Sequence, residues 1–196
     1  MNFSQSGYKR QKGFNLIEVL MTLVVVSVGL LSAASLQLLS KRSNFDAAQR
    51  TTAAHLAQDL FSRMRTNGNG LINYIPVGTL GGNVLGDAPP VNCQAAGADC
   101  TVAEIAAYDL WHWEEQLDGE FETSGGQARG GLTAPTVCIT GPAFGGAGTY
   151  TVAIAWRGMT DMADPQINNC GQGTGNYGAG DRYRRVMVMQ TFISSV

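Results

Sequence analysis

Charge is scarce in this chain. Asp, Glu, Lys and Arg make up 14% of its 196 residues, against the ~25% usual in globular proteins. Hydrophobic residues make up 44%, which excludes a disordered chain, because disorder needs high net charge and low hydrophobicity. The net charge of -2 leaves no footprint for a general nucleic-acid binder. Histidine is nearly missing, with only His55 and His112. Cys93 and Cys100 stand in a C-x6-C spacing, which is not a usual zinc pattern. No Ser/His/Asp or Cys/His set follows from the spacing. The chain is therefore read as a non-enzyme, with no catalytic residue, cofactor site or metal site expected.

Proline is missing from Phe14 to Thr66, and charge is missing from Val19 to Ser40. As a helix the uncharged run is ~33 Å long, close to the ~30 Å hydrocarbon thickness of a bilayer. Before it, Met1 to Gly13 carry Lys9, Arg10 and Lys12 and no acid. That basic leader predicts a cytoplasmic N-terminus, with everything after Lys41 exported. Two plainer readings compete. Ser32-Ala33-Ala34 offers a cut site for an ordinary secretory signal peptide. Against it, the apolar run exceeds the usual 7–15 residues and Glu18 interrupts its start. A simple membrane anchor is the other, with Glu18 incidental near the interface.

The four cysteines Cys93, Cys100, Cys138 and Cys170 all lie in the exported part, where an oxidising compartment permits disulfides. Four cysteines allow three pairings. The local pairing, Cys93–Cys100 with Cys138–Cys170, is the expected one.

Past the apolar run, Phe45, Ala48, Ala53, Leu56, Ala57, Leu60, Phe61 and Met64 recur mostly at steps of three and four. Charged and amide residues, Gln49 and Arg63 among them, mostly fill the other faces, which predicts an amphipathic helix with one core stripe. Asn67-Gly68 stops it. Asn67 to Asn92 reads as a loop with little periodicity. Thr101-Val-Ala-Glu104 is a capping box opening a second helix over 102–117. On that helix Glu114-Glu115 reads as an exposed pair and His112 as facing away from the core. Strands are expected near 136–140, 149–157 and 183–193. In the second, Tyr150, Val152, Ile154 and Trp156 share a face; in the third, Val186, Val188 and Phe192 do. Consecutive strands usually pair, so an antiparallel sheet covered by the 45–64 stripe is expected. Gly171-Gln-Gly-Thr-Gly175 is glycine-rich but sits in no βαβ unit, so it is not read as a phosphate loop. Arg182, Arg184 and Arg185 read as a solvated strand end. The divisions are thus a leader over 1–13, a transmembrane half-helix over 14–40, an amphipathic half over 41–67, and a globular head over 68–196.

The junction Lys12-Gly13-Phe14-Asn15-Leu16-Ile17-Glu18 carries the sharpest signal. It sets a carboxylate at the start of the apolar helix, where an unpaired charge is costly. If the chain is cut after Gly13, the new Phe14 amine is positive and lies near the depth of Glu18. Within one helix the two are poorly placed to meet. Side by side, Glu18 of one subunit reaches the amine of a neighbour, so the pair favours assembly.

These residues resemble the class III signal of type IV pilins and type II secretion pseudopilins. Lys12, Gly13, Phe14, Leu16, Ile17 and Glu18 sit as in that family, while Asn15 stands where Thr or Ser is usual. Val28-Gly-Leu-Leu31, Leu36-Gln37, Arg50, Leu56 to Leu60 and Arg63 to Asn67 resemble the minor pilins. So do Ala107-Tyr-Asp-Leu110, Trp113 and Leu117. The similarity covers roughly residues 9–67 and 100–117. It implies an α+β pilin-like fold, a long N-terminal transmembrane helix packed on an antiparallel β-sheet head. It implies processing by prepilin peptidase and N-methylation at Phe14, and a role in priming pilus assembly, with a minor pseudopilin of a secretion system as the alternative. The partners implied are the peptidase, other minor pilins, the major pilin, the inner-membrane assembly platform and the bilayer before assembly, with no specific nucleic acid. The expected location is the bacterial inner membrane, single-pass with the head in the periplasm, then the pilus.

Overall fold

The computed structural model describes residues 13–125, 127–128 and 130–194. Most of the expected leader, with Lys9, Arg10 and Lys12, lies outside the described residues. The fold is α+β, with a long N-terminal apolar helix and a three-stranded antiparallel sheet. The elements are α1 (Leu16–Thr66), a 3-10 helix (Gly68–Tyr74), α2 (Val102–Asp118), β1 (Thr123–Ser124), β2 (Gln127–Ala128), β3 (Thr136–Thr140), β4 (Gly148–Arg157) and β5 (Arg184–Ile193). Two compact units divide the chain, one ending at Lys41 and one beginning at Arg42.

In the first unit, α1 contains a stretch long and apolar enough to cross a membrane, with none of it buried. Its hydroxyls bond back to the helix itself. Ser27, Ser32 and Ser35 each donate to the carbonyl four residues back, on Leu23, Val28 and Leu31. Thr22 donates to Val19 O. Every one of these polar groups is satisfied inside the helix, as a hydrocarbon surrounding demands.

In the second unit, α1 buries Gln49, Ala53, Leu56, Ala57, Leu60, Phe61 and Met64. All but Gln49 pack with Ala106, Leu110, Trp113 and Leu117 of α2 and with Tyr150, Val152, Ile154 and Trp156 of β4. The stripe starts later than the sequence pattern suggests. Ala48 is exposed and Gln49 is buried, because Gln49 Nε2 donates to Gly131 O at 3.0 Å and its Oε1 accepts from Thr133 N at 2.9 Å. Those two bonds satisfy the amide, so its burial carries little penalty. The Trp113 indole crosses the helix pair and donates to Leu56 O at 2.9 Å.

The capping box forms at the start of α2. Glu104 N donates to Thr101 Oγ1 and Thr101 N donates to Glu104 Oε2. Gly119 closes the helix in the left-handed region, φ 79°. A Cβ there would fall 2.2 Å from the Gly130 carbonyl carbon, so only glycine fits.

The sheet order is β3-β4-β5. Val137 pairs with Ile154, and Ile154 pairs with Met187. Val186, Val188 and Phe192 share a face, but the face of β5 that meets the core is that of Met187, Met189 and Ile193. The segment read as a plain loop contributes to this core. Leu71 and Tyr74 of the 3-10 helix are fully buried, and Leu80 bridges Val137 of β3 by two backbone bonds of 2.8 and 2.9 Å. The other face of the sheet is covered too. Ala153 and Ala155 are buried there beneath the segment 158–183, which folds back over them.

Candidate processing and assembly site

Gly13, Phe14 and Asn15 precede α1 outside helical structure. Asn15 O accepts from Glu18 N at 2.9 Å and from Val19 N at 3.3 Å, which starts the first turn. Phe14 is 86% exposed. Among the described residues, a Cβ added at Gly13 would meet nothing within 4 Å. Among the described residues nothing requires glycine at this position, and both residues of the Gly13–Phe14 peptide are exposed. Glu18 is exposed in the first turn of α1, where the positive end of the helix dipole favours an acid. Among the described residues it makes no ion pair. Apolar side chains flank it, including Ile17, Val19 and Leu20.

The head holds two disulfides, Cys93–Cys100 and Cys138–Cys170, with Cα separations of 5.9 and 5.8 Å. The second ties β3 to the 158–183 segment, and Arg184 organises the same segment. Arg184 is not a solvated strand end. It is wholly buried, with Nε 2.6 Å from Asp164 Oδ1 and its other nitrogens donating to the carbonyls of Pro165, Asn168 and Cys170. Arg182, by contrast, is exposed and pairs with Asp161 at 3.1 Å.

Glu114 likewise departs from the exposed pair the sequence suggested. It is 1% exposed and accepts from the backbone of Gly81 at 2.7 Å, Val84 at 3.2 Å and Leu85 at 2.7 Å. Asp118, one turn on, accepts from Gly82 and Asn83. Two carboxylates thus hold the 81–85 turn against α2. The hint was present in the sequence, since Glu114 follows Leu110 by four residues and precedes Leu117 by three, which places it on the buried face.

His112 is partly buried. Its Nδ1 lies 3.3 Å from Arg63. Arginine has no acceptor, so Nδ1 accepts and the neutral ring carries its proton on Nε2. Arg63 also bonds Asp59 at 2.8 Å and Asp109 at 3.2 Å, and Asp109 accepts from the Tyr74 hydroxyl. Burial, reinforced by the Arg63 charge, holds His112 below its ordinary value, while burial and the Asp109 bond push the Tyr74 phenol up. This network joins α1, α2 and the 3-10 helix and is structural. His55 is exposed on α1. The glycine-rich turn is also occupied internally: Gly173 N donates to Asp181 Oδ2 at 2.8 Å, so a carboxylate sits on that amide.

Two family models match parts of the chain. Residues 8–34 match the prokaryotic N-terminal methylation motif. Residues 35–111 match the family described as type IV pilin Tt1218. Together the two matches support a type IV pilin or pseudopilin. No curated protein and no solved structure matches the chain.

Proposed function

We propose that this chain is a minor pilin similar to PilV. It is made as a single-pass prepilin in the bacterial inner membrane with its head in the periplasm, and it helps prime pilus assembly with other minor pilins at the tip. Prepilin peptidase cuts between Gly13 and Phe14, and Phe14 is N-methylated. Glu18 then pairs with the Phe14 amine of a neighbouring subunit. The head's cysteines are oxidised after export.

The observation that carries this reading is the junction itself. An exposed, non-helical Gly13–Phe14 bond stands directly before an apolar helix whose first turn holds a carboxylate, within a segment that matches the methylation motif. A buried or membrane-embedded acid persists when it finds a partner, and lateral packing supplies one.

The test is mass analysis of the mature N-terminus from cells with a working peptidase. N-methyl-Phe14 is expected. A chain beginning at Met1, or at Ser35, sinks the reading. Disrupting the gene and scoring surface pili against secreted enzymes separates the pilus role from that of a secretion pseudopilin.

A further inference from the structure

A cavity of about 370 Å³ opens in the second unit between the first turns of its helix and the end of the sheet. Ser43, Asp46 and Arg50 line one wall, and Trp156, Met162 and Arg185 the other. Trp156 and Arg185 are register partners on β4 and β5, so both project from the same face. Trp156 is 3% exposed, and its indole Nε1–H is buried with no acceptor among the described residues. A buried donor left unpaired costs free energy comparable to a lost hydrogen bond, so Trp156 is the residue of this wall with an unmet demand for an acceptor.

The charges agree. Arg50 is exposed and makes no ion pair among the described residues. Arg185 donates to Thr160 O at 2.6 Å and lies 3.8 Å from Asp46. Asp46 is the one acid on the wall, and its oxygens already accept from Met159 N at 3.0 Å and Thr160 Oγ1 at 3.4 Å. With Asp46 balanced by Arg185, Arg50 leaves the lining net positive. The cavity is lined by two arginines, a serine and the Trp156 ring.

Its place along the chain selects the ligand. The uncharged run ends at Ser40, and Ser43 on the cavity wall is three residues on. Three residues span at most ~11 Å even fully extended. If the run is embedded, Ser43 cannot leave the headgroup layer, where lipid phosphates lie and tryptophan is enriched. We propose that this cavity binds the headgroup phosphate of an anionic phospholipid, so that the subunit stays seated on the bilayer surface before assembly. The proposal rests on reading the apolar run as membrane-embedded.

The test uses the full chain, labelled with ¹⁵N at its tryptophan indoles, in maltoside micelles that contain no phosphate. The Trp111 and Trp113 indoles already donate to Gly86 O and Leu56 O and serve as internal references. Dihexanoyl phosphatidylglycerol is expected to move the Trp156 indole resonance saturably and leave the other two in place. Dihexanoyl glycerol is expected to move none of them. Arg50→Gln is expected to weaken the titration about fivefold, with unmoved Trp111 and Trp113 resonances reporting an intact fold. No saturable shift overturns the proposal. Equal affinity for inorganic phosphate overturns the lipid as source, and equal affinity for N-acetylglutamate amide overturns it in favour of an acidic partner protein. Carbonate extraction of membranes reports on the anchor separately, so failure of that reading is distinguishable from failure of the site.

Discussion

Arg184 and Asp164 meet at 2.6 Å with the guanidinium wholly removed from solvent. Three backbone carbonyls complete its shell, so one side chain on β5 sets the path of residues 164–170. Removing one member of a buried, hydrogen-bonded ion pair strands its partners. Arg184→Met is therefore expected to cost ~3–5 kcal/mol of stability, and Asp164→Asn less, since an acceptor remains. Urea unfolding of the full chain in detergent measures both. An Arg184→Met midpoint equal to that of the parent chain refutes the role given to this pair.

Glu114 does for the 81–85 turn what Arg184 does for 164–170. Each of its carboxylate oxygens is in use, Oε1 for Gly81 and Val84 and Oε2 for Leu85. Glu114→Gln would set an amide N–H₂ against one of those backbone donors. A cost of ~2 kcal/mol is expected for these charge-assisted bonds. The effect should be local, with faster hydrogen exchange at Gly81, Val84 and Leu85 while the β4 amides keep their protection. Uniform loss of protection would mean that the turn is not separately held.

The contrast between these residues and the sheet shows where sequence reasoning reaches. The alternation Tyr150, Val152, Ile154, Trp156 states its own face, because period two is a local property of a strand. The proline-free apolar run states the long helix for the same reason. The Gly13–Phe14–Glu18 junction is contiguous, so its elements are legible together. Gln49 and Arg184 are not, and Glu114 is legible only in its place on the buried face, because what permits their burial is a set of backbone partners far along the chain. Gly131 lies 82 residues from Gln49, and nothing in the composition near residue 49 announces it. The pairing of β1 with β2 is only two residues long, Thr123 with Ala128 and Ser124 with Gln127, too short for any periodicity. The Trp156 cavity escaped for a related reason: its walls come from four segments, and its sign is an unpaired atom rather than a motif.

The disulfides should differ in worth. The Cys93–Cys100 link closes a separation of 7 residues and Cys138–Cys170 one of 32. On the chain-entropy account the shorter loop contributes ~2.5 kcal/mol and the longer ~3.7 kcal/mol. Replacing Cys138 and Cys170 together by Ser should lower the urea midpoint more than the same change at Cys93 and Cys100. A non-reducing peptide map of the protein isolated from cells checks the pairing directly, and a peptide joining Cys93 to Cys138 or Cys170 would contradict it.

His112 gives the head a pH dependence with a defined sign. Its ordinary value is 6.5, and burial, with Arg63 in support, holds the folded value lower. As pH falls below 6.5 the unfolded chain takes up the proton first. The neutral ring therefore contributes stability above that pH, and the contribution is lost as pH falls through the folded value. Asp59 and Asp109 act the other way without reversing the shift. Thermal unfolding of the full chain should show a melting temperature that declines below about pH 6.5, and His112→Asn should flatten that decline. An unchanged slope in the variant would assign the dependence to other groups.

The exposed acid at the start of α1 separates two steps that a single loss of pili would confuse. Cutting needs access to the Gly13–Phe14 bond, which is open and non-helical, and nothing in that geometry involves the Glu18 charge. Assembly, on the proposed reading, needs that charge, because an amine brought into an apolar packing interface is costly unless paired. Glu18→Gln should therefore still yield N-methyl-Phe14 in the membrane fraction while its amount in sheared pili falls more than about tenfold, the loss expected when one member of a desolvated charge pair is truncated. Glu18→Asp keeps the charge on a shorter arm and should fall between. Gly13→Val should do the opposite of Glu18→Gln, leaving the full-length chain in the membrane because the bond is no longer recognised. If Glu18→Gln enters pili at the parental level, the carboxylate is not what joins the subunits, and the helix packs on apolar contact alone.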